Sequence, residues 1–180
     1  MPRRVLVLLS HPNFSHSVVN RRLIEVAEGI DGVRCRHLES LYPDYDLDVA
    51  AEQQAVREHD VLVFQHPLYW YSSPPHLKLW IDRVLLRDFA FGRRDPETKG
   101  KSLRSVVSAG GPESAYGADG FNGYPITDFL RVFERTAIFC RMRWEPPLIL
   151  HNTYGAASEE IDAHVEKYRS WLSESVAASD

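Results

Sequence analysis

The sequence predicts an α/β fold of three layers: a five-stranded parallel sheet in the order 2-1-3-4-5, with helices on both faces. Three observations carry this. Apolar runs of strand length alternate five times with longer segments of helical periodicity. Runs such as Val61-Leu62-Val63-Phe64 are apolar at every position, as strands covered on both faces are. The chain has 180 residues, 44% of them hydrophobic, which suits one domain over 1–180 with a sizeable core. The alternation forces right-handed crossovers, and five strands favour this order over a longer dinucleotide-binding sheet.

In chain order, the strands are expected at Val5–Leu9, Val33–Leu38, Val61–Phe64, Leu103–Ser108 and Leu148–Leu150. The helices are expected at Ser17–Glu28, Val49–His59, Pro75–Leu86, Ile126–Ala137 and Ser158–Val176. Ser17 suits the N-cap of a helix that carries Asn20, Leu23, Ile24 and Ala27. Leu77, Trp80, Ile81, Val84 and Leu85 recur at helical spacing after Pro75. The stretch Arg87–Ser102 reads as a loop, and its Phe89 and Phe91 join Trp70 and Tyr71 in an apolar surface that a homodimer would cover.

Composition removes several function classes. A formal net charge of −4, with basic and acidic residues interspersed, gives no electrostatic footprint for nucleic acid. No run approaches the roughly 20 apolar residues of a membrane span, and the N-terminus lacks a signal-peptide pattern, so a cytoplasmic protein is expected. Cys35 and Cys140 are far apart without CxxC spacing and read as buried small hydrophobes. The eight histidines form no HxxxH helix pair, so no metal site is expected. No GxGxxG follows the first strand, and Gly100-Lys101-Ser102 precedes a strand where a P-loop would open a helix.

Three turns at the carboxyl ends of strands carry the chemistry, because that edge of an open α/β sheet lines the ligand crevice. After the first strand, Ser10-His11-Pro12-Asn13-Phe14-Ser15-His16-Ser17 leads into a helix N-terminus. Free amides there, with His11 and Ser15 or Ser17, can hold a phosphate; equally, Ser17 can cap its own helix and His11 can bond a nearby carbonyl. After the third strand, Gln65-His66-Pro67-Leu68-Tyr69-Trp70-Tyr71-Ser72-Ser73-Pro74-Pro75 offers three rings and rigid prolines as a wall for a flat ligand such as a flavin. After the fourth, Ala109-Gly110-Gly111 allows close backbone approach, and Tyr116 can donate to charge developing nearby. In this strand order the first and third strands are neighbours, so one phosphate-bearing ligand can touch both turns.

These segments, with His76-Leu77-Lys78-Leu79-Trp80-Ile81-Asp82-Arg83-Val84, resemble the NAD(P)H:quinone oxidoreductases of the flavodoxin-like superfamily across nearly the whole chain. Within that family, Leu41-Tyr42-Pro43-Asp44, Ala50-Ala51-Glu52-Gln53 and Trp144-Glu145-Pro146-Pro147 are similar to the ancillary quinone reductase subunits of glutathione-regulated potassium-efflux systems. The resemblance implies a homodimeric, cytoplasmic flavoenzyme, with FMN favoured over FAD, NAD(P)H as donor and a quinone as acceptor. An antiporter partner at the inner membrane face is implied by the second likeness, as is the alternative role of a regulatory subunit that uses flavin for redox sensing. By position, His11, Ser17, Val18, Val19 and Asn20 would hold the phosphate and ribityl chain. Pro67, Leu68, Tyr69, Trp70 and Tyr71 would line one edge of the ring system, and Ser108, Ala109, Gly110 and Gly111 the other. Tyr116, Gly110 and Gly111 would be the catalytic groups, but Phe121 stands where the family places a histidine beside the tyrosine.

Overall fold

The structure is a computed structural model that describes residues 1–178. Along the chain run β1 (Val5–Leu9), α1 (Val18–Glu28), β2 (Val33–His37), α2 (Leu38–Leu41), α3 (Val49–Arg57), β3 (Val61–Pro67) and α4 (Pro75–Val84). Then follow β4 (Ser102–Ser108), α5 (Ile126–Phe129), α6 (Arg131–Phe139), β5 (Arg143–Leu150) and α7 (Ser158–Ala177), with 3-10 turns at Phe14–His16 and Glu113–Ala115. The sheet is parallel in the order β2-β1-β3-β4-β5, as the alternation predicts.

Side chains of β1 alternate between two cores, as the period of two requires. Val5, Val7 and Leu9 face α1 and α7, packing with Leu23, Val63, Tyr168 and Leu172. Leu6 and Leu8 face the opposite layer with Phe64, Trp80 and Phe133, where Phe64 meets Trp80 and Phe133 edge-on, each at 5.9 Å. One carboxylate lies wholly inside this second core. Glu52 accepts from Arg36 Nε at 2.7 Å, Tyr42 Oη at 2.6 Å and Trp80 Nε1 at 2.7 Å, so its charge is paired and its lone pairs are used.

The structure departs from the sequence expectations at five places. Strand β3 runs on to Pro67, placing Gln65 and His66 inside the sheet. Leu38, expected in the second strand, begins α2. Strand β5 begins at Arg143 and accepts Pro146 and Pro147 because it is an edge strand whose register against β4 shifts between Arg104 and Val106. The single helix expected over 126–137 is two, divided at Leu130, whose N–H bonds the Thr127 carbonyl in a tightened last turn. Phe89 is not part of an exposed patch: it is buried with the Arg57 guanidinium 5.1 Å over its ring, whereas Phe91 packs on the exposed Phe139 at 5.0 Å.

Of the two thiols, Cys140 is buried as expected and Cys35 only half-buried. Burial pushes both up, Cys35 to about 12 and Cys140 to about 11.

Candidate functional site

The carboxyl edge of the sheet opens into a crevice of about 920 Å³, within the size range of small-molecule and cofactor sites. Its floor is the first turn. Ser17 caps α1, its Oγ accepting from the Asn20 N–H at 3.2 Å, which leaves the first-turn amides of Val18 and Val19 without an intrahelical carbonyl to reach. His11 Nδ1 accepts from the Asn13 N–H at 3.2 Å, so the proton of the neutral ring is on Nε2, free to donate to a ligand. Burial first, opposed by Glu39, lowers the His11 pKa and keeps that ring neutral at pH 7.

Asn20 ties the first turn to the others. Its Nδ2 donates to Ser108 Oγ at 2.9 Å, its carbonyl accepts from Gln65 Nε2 at 3.1 Å, and it is almost wholly buried. Its amide therefore braces the wall more than it offers contacts of its own.

The aromatic turn is tight and strained. Tyr69 and Ser72 exchange backbone hydrogen bonds, both at 3.0 Å, around Trp70 and Tyr71 at φ of +47° and +62°. Two positive φ values are what a two-residue type I′ turn needs, and the usual occupants are Asn and Gly. Two large rings in that conformation cost about 1–3 kcal/mol each, a burden found most often at ligand clamps. The result is Trp70 standing 92% exposed at the rim, with Tyr69 beneath it 6.1 Å from the His11 ring.

At the third turn Gly110 is glycine for a reason of space. A Cβ there would lie 2.6 Å from Cε2 of Tyr154, whose ring rests against the backbone and is itself 94% exposed. Gly111 is less confined: its Cβ would meet Tyr116 Cε2 at 3.4 Å, an ordinary contact. The Ala109 amide is spent on the Leu150 carbonyl at 2.8 Å, whereas among the described residues the amides of Gly110 and Gly111 reach no backbone carbonyl and remain available as donors. Tyr116 lies over Gly111, its pKa raised by burial and then by Tyr71, so it is a protonated donor at neutral pH.

The crevice thus brings together sequence-predicted residues of all three turns, with two exceptions: Ala109 lies beneath the surface, and the Ser15 hydroxyl is outside the lining, paired with His16 Nδ1 at 3.1 Å. Phe121 is on the rim, almost fully exposed, and supplies no proton. Sequence reasoning missed the fourth turn, after β5, from which Thr153 and Tyr154 line the crevice. The carboxyl-edge rule that flagged the other turns applies equally there. Among the described residues, no group of three or more His, Cys, Asp or Glu is arranged to hold a metal ion.

Fold and crevice define a class: an α/β protein with a helix N-terminus, an aromatic turn and a glycine turn converging on one crevice at the carboxyl edge of its sheet. The comparisons place the chain within it. Residues 3–172 match the family of flavodoxin-like fold proteins described as Flavodoxin_2, and the chain belongs to that family. It is 46% identical over 177 residues, 98% of this chain and 97% of the relative, to the glutathione-regulated potassium-efflux system ancillary protein KefG of Salmonella paratyphi B. Among solved structures, general stress protein 14 of Treponema denticola in complex with FMN is 37% identical, with a TM-score of 0.90 over 95% of this chain and 98% of that one. The NADPH-quinone reductase of P. pentosaceus is 27% identical, with a TM-score of 0.86 over 94% and 97%. A chain described as thermophilic tryptophan halogenase from Streptomycin violaceusniger is 42% identical, with a TM-score of 0.89 over 97% and 99%.

Proposed function

We propose that this chain is an FMN-dependent NAD(P)H:quinone oxidoreductase working by a two-step exchange, in which the nicotinamide leaves before the quinone enters. The observation that carries this reading is the convergence in one crevice of the free α1 amides, the strained aromatic clamp and the Gly110 cradle. The FMN named for the Treponema relative and the quinone activity named for the P. pentosaceus relative support it.

The residues fit FMN. Val18 and Val19 amides, the Ser17 hydroxyl and His11 Nε2–H would hold the phosphate, donors gathered at a helix N-terminus that favours an anion. Leu68, Tyr69, Trp70 and Tyr71 would bound the ring system on one side, and Gly110 with Gly111 on the other. When bound, FMN supplies hydride chemistry that no side chain offers. The chain would contribute orientation and charge: the amides of Gly110 and Gly111 would donate to negative charge on an acceptor oxygen, and Tyr116 Oη would give that oxygen its proton. The same wall would stack donor and acceptor in turn.

A second reading follows from the 46% identity to the KefG protein over nearly the full length. Here the chain serves as the ancillary subunit of a potassium-efflux antiporter at the cytoplasmic face of the membrane, its flavin acting in redox sensing. The two roles are compatible. No helix among the described residues is long and apolar enough to cross a membrane, so attachment would be peripheral. A homodimer that closes each crevice with residues of the partner would cover Trp70, Phe121 and Tyr154, three rings left almost fully exposed at the rim.

The purified protein should be yellow or become so with FMN, and should oxidise NAD(P)H rapidly only when a quinone is present. A colourless protein whose titration with FMN shows no fluorescence quenching sinks the reading. Co-purification with the antiporter, measured with and without bound FMN, tests the second role, and sedimentation velocity at micromolar concentration tests the dimer.

A further inference from the structure

A second set of ionisable groups adjoins the first turn without lining the crevice: Glu39 of α2, His37 at the end of β2 and His76 of α4. Ser10, wholly buried just before His11, makes the link, its Oγ donating to Glu39 Oε1 at 2.7 Å. His76 is almost wholly buried, and its Nε2 lies 3.0 Å from the Tyr42 carbonyl oxygen, which can only accept; Nε2 therefore carries a proton. Its Nδ1 is buried with no hydrogen-bond partner, 3.6 Å from the same Glu39 Oε1. Tyr45 stacks on the ring with centroids 4.1 Å apart. Glu39 Oε2 is also buried and unpartnered, 3.6 Å from His37 Nε2, which is in the same state. Among the described residues, no lysine or arginine pairs with Glu39, so a histidine is its counter-ion. His37 needs no charge for this: with Nδ1 accepting from Ser40 Oγ–H at 3.0 Å, its neutral ring keeps the Nε2 proton on the Glu39 side.

A neutral His76 in its tautomer would hold the Nδ1 lone pair against a carboxylate away from water, with nothing to compensate. The separation is within ion-pair range, longer than a hydrogen bond and too short for a water to bridge at ordinary lengths and angles. A second proton on the ring turns repulsion into attraction. We propose, on the reading of the crevice as a flavin site, that His76 stands as an imidazolium against Glu39 at neutral pH, and that loss of its proton as pH rises bares a carboxylate beside the phosphate turn and loosens FMN. The pair is neutral with the proton and carries one negative charge without it, and a phosphate dianion held at His11 and Ser17 is repelled by the second state. The Glu39 charge is felt in the crevice: on His11 it opposes the burial that lowers that ring's pKa, and on Tyr69 it adds to burial and Tyr154 in raising the phenol's. Phe14 packs between the two layers, edge-on to His11 at 6.3 Å and to His37 at 4.5 Å. The other charged and titratable neighbours are engaged elsewhere or act on His37. Glu28 acts on His37, the Tyr42 hydroxyl is taken by Glu52 and Arg36, His16 bonds Asn13 Oδ1, and Lys78 of α4 pairs with Asp82.

The test titrates FMN and riboflavin into the protein by fluorescence quenching at pH 7 and pH 9, both above the second ionisation of a phosphate monoester near 6. FMN affinity should fall about tenfold between the two, whereas the affinity for riboflavin, which lacks the phosphate, should not change. Glu39→Gln keeps an acceptor for Ser10 and removes the charge, so it should bind FMN equally at both pH values. His76→Leu strands the charge at every pH and should bind FMN at pH 7 about as weakly as wild type does at pH 9. A further readout needs no flavin. In the nitrogen-15 spectrum of the flavin-free wild type, the His76 ring, assigned by its loss in His76→Leu, should have both nitrogens protonated at pH 7 and only one at pH 9. A neutral His76 ring at pH 7, or a fall in FMN affinity as large in Glu39→Gln as in wild type, overturns the proposal. A charged ring in a protein that binds neither flavin at either pH overturns the flavin reading and leaves the Glu39–His76 pair standing.

Discussion

Gly110 and Ser17 show how single positions set the crevice. A methyl at Gly110 would press on a Tyr154 ring that is free to swing away, so Gly110→Ala should leave unfolding free energy within about 0.5 kcal/mol of wild type. The displaced ring and the added Cβ should nevertheless weaken FMN binding about tenfold, roughly 1.4 kcal/mol, measured by fluorescence titration. An unchanged affinity would show that the ring system does not approach this backbone. Replacing Ser17 and His11 together by Ala removes two donors to the phosphate and should cost about 2–4 kcal/mol of FMN binding. The lost cap alone should cost the fold about 1 kcal/mol, so parallel urea titrations distinguish the two effects. At this scale the sequence was legible wherever a residue's type and its place after a strand agreed, as for His11, Ser17, Trp70 and Gly110. The packing of the His151 ring on Tyr116 was illegible because the two are 35 positions apart, and only strand pairing between β4 and β5 brings the two rings together. The bracing role of Asn20 was hidden for the same reason, since Ser108 Oγ reaches it across two strands.

Among the elements, the Trp70-Tyr71 turn is where stability is set against ligand contact. Trp70→Asn with Tyr71→Gly supplies the residues that a type I′ turn prefers and relieves two left-handed side-chain residues, each costing about 1–3 kcal/mol. The double variant should therefore unfold at higher urea while binding FMN more weakly, an opposition often seen at sites kept under strain. A variant no more stable than wild type would mean that Tyr71 recovers the strain through its hydrogen bond to Asn122 Oδ1 at 3.1 Å and its packing on Phe129. Strands β1 and β3 were legible because burial on both faces leaves the unbroken apolar runs Val5–Leu9 and Val61–Phe64. Strand β5 was mostly illegible: its edge position tolerates Arg143, Glu145 and two prolines, which in isolation read as a loop. The division between α5 and α6 was equally hidden, because the apolar periodicity continues through Leu130 while the backbone tightens beneath it.

For the molecule as a whole, pH and sulfur set limits on behaviour. Burial pushes His66 and His164 each down to about 4, and each has its Nε2 buried without a partner. In the unfolded chain these rings titrate near 6.5, so below that value the unfolded state binds protons that the native state refuses until about pH 4. Stability should thus be full above about pH 6.5 and fall by about 1.4 kcal/mol per pH unit for each ring between there and pH 4. Urea midpoints at pH 7.5 and pH 5 check this, and equal midpoints would contradict it. The half-buried Cys35, with its pKa near 12, and Cys140, near 11, carry a consequence of another kind. At cellular pH almost no thiolate exists on this chain, and thiolate is the form that attacks a disulfide or an electrophile. Iodoacetamide should therefore modify the native protein slowly and the urea-unfolded protein fast, and rapid native alkylation of Cys35 would refute this. Mixed-disulfide exchange with glutathione should be slow in the folded chain for the same reason. On the proposed flavin reading, a cell's redox state would be read here by electrons arriving at the crevice, with sulfur a bystander.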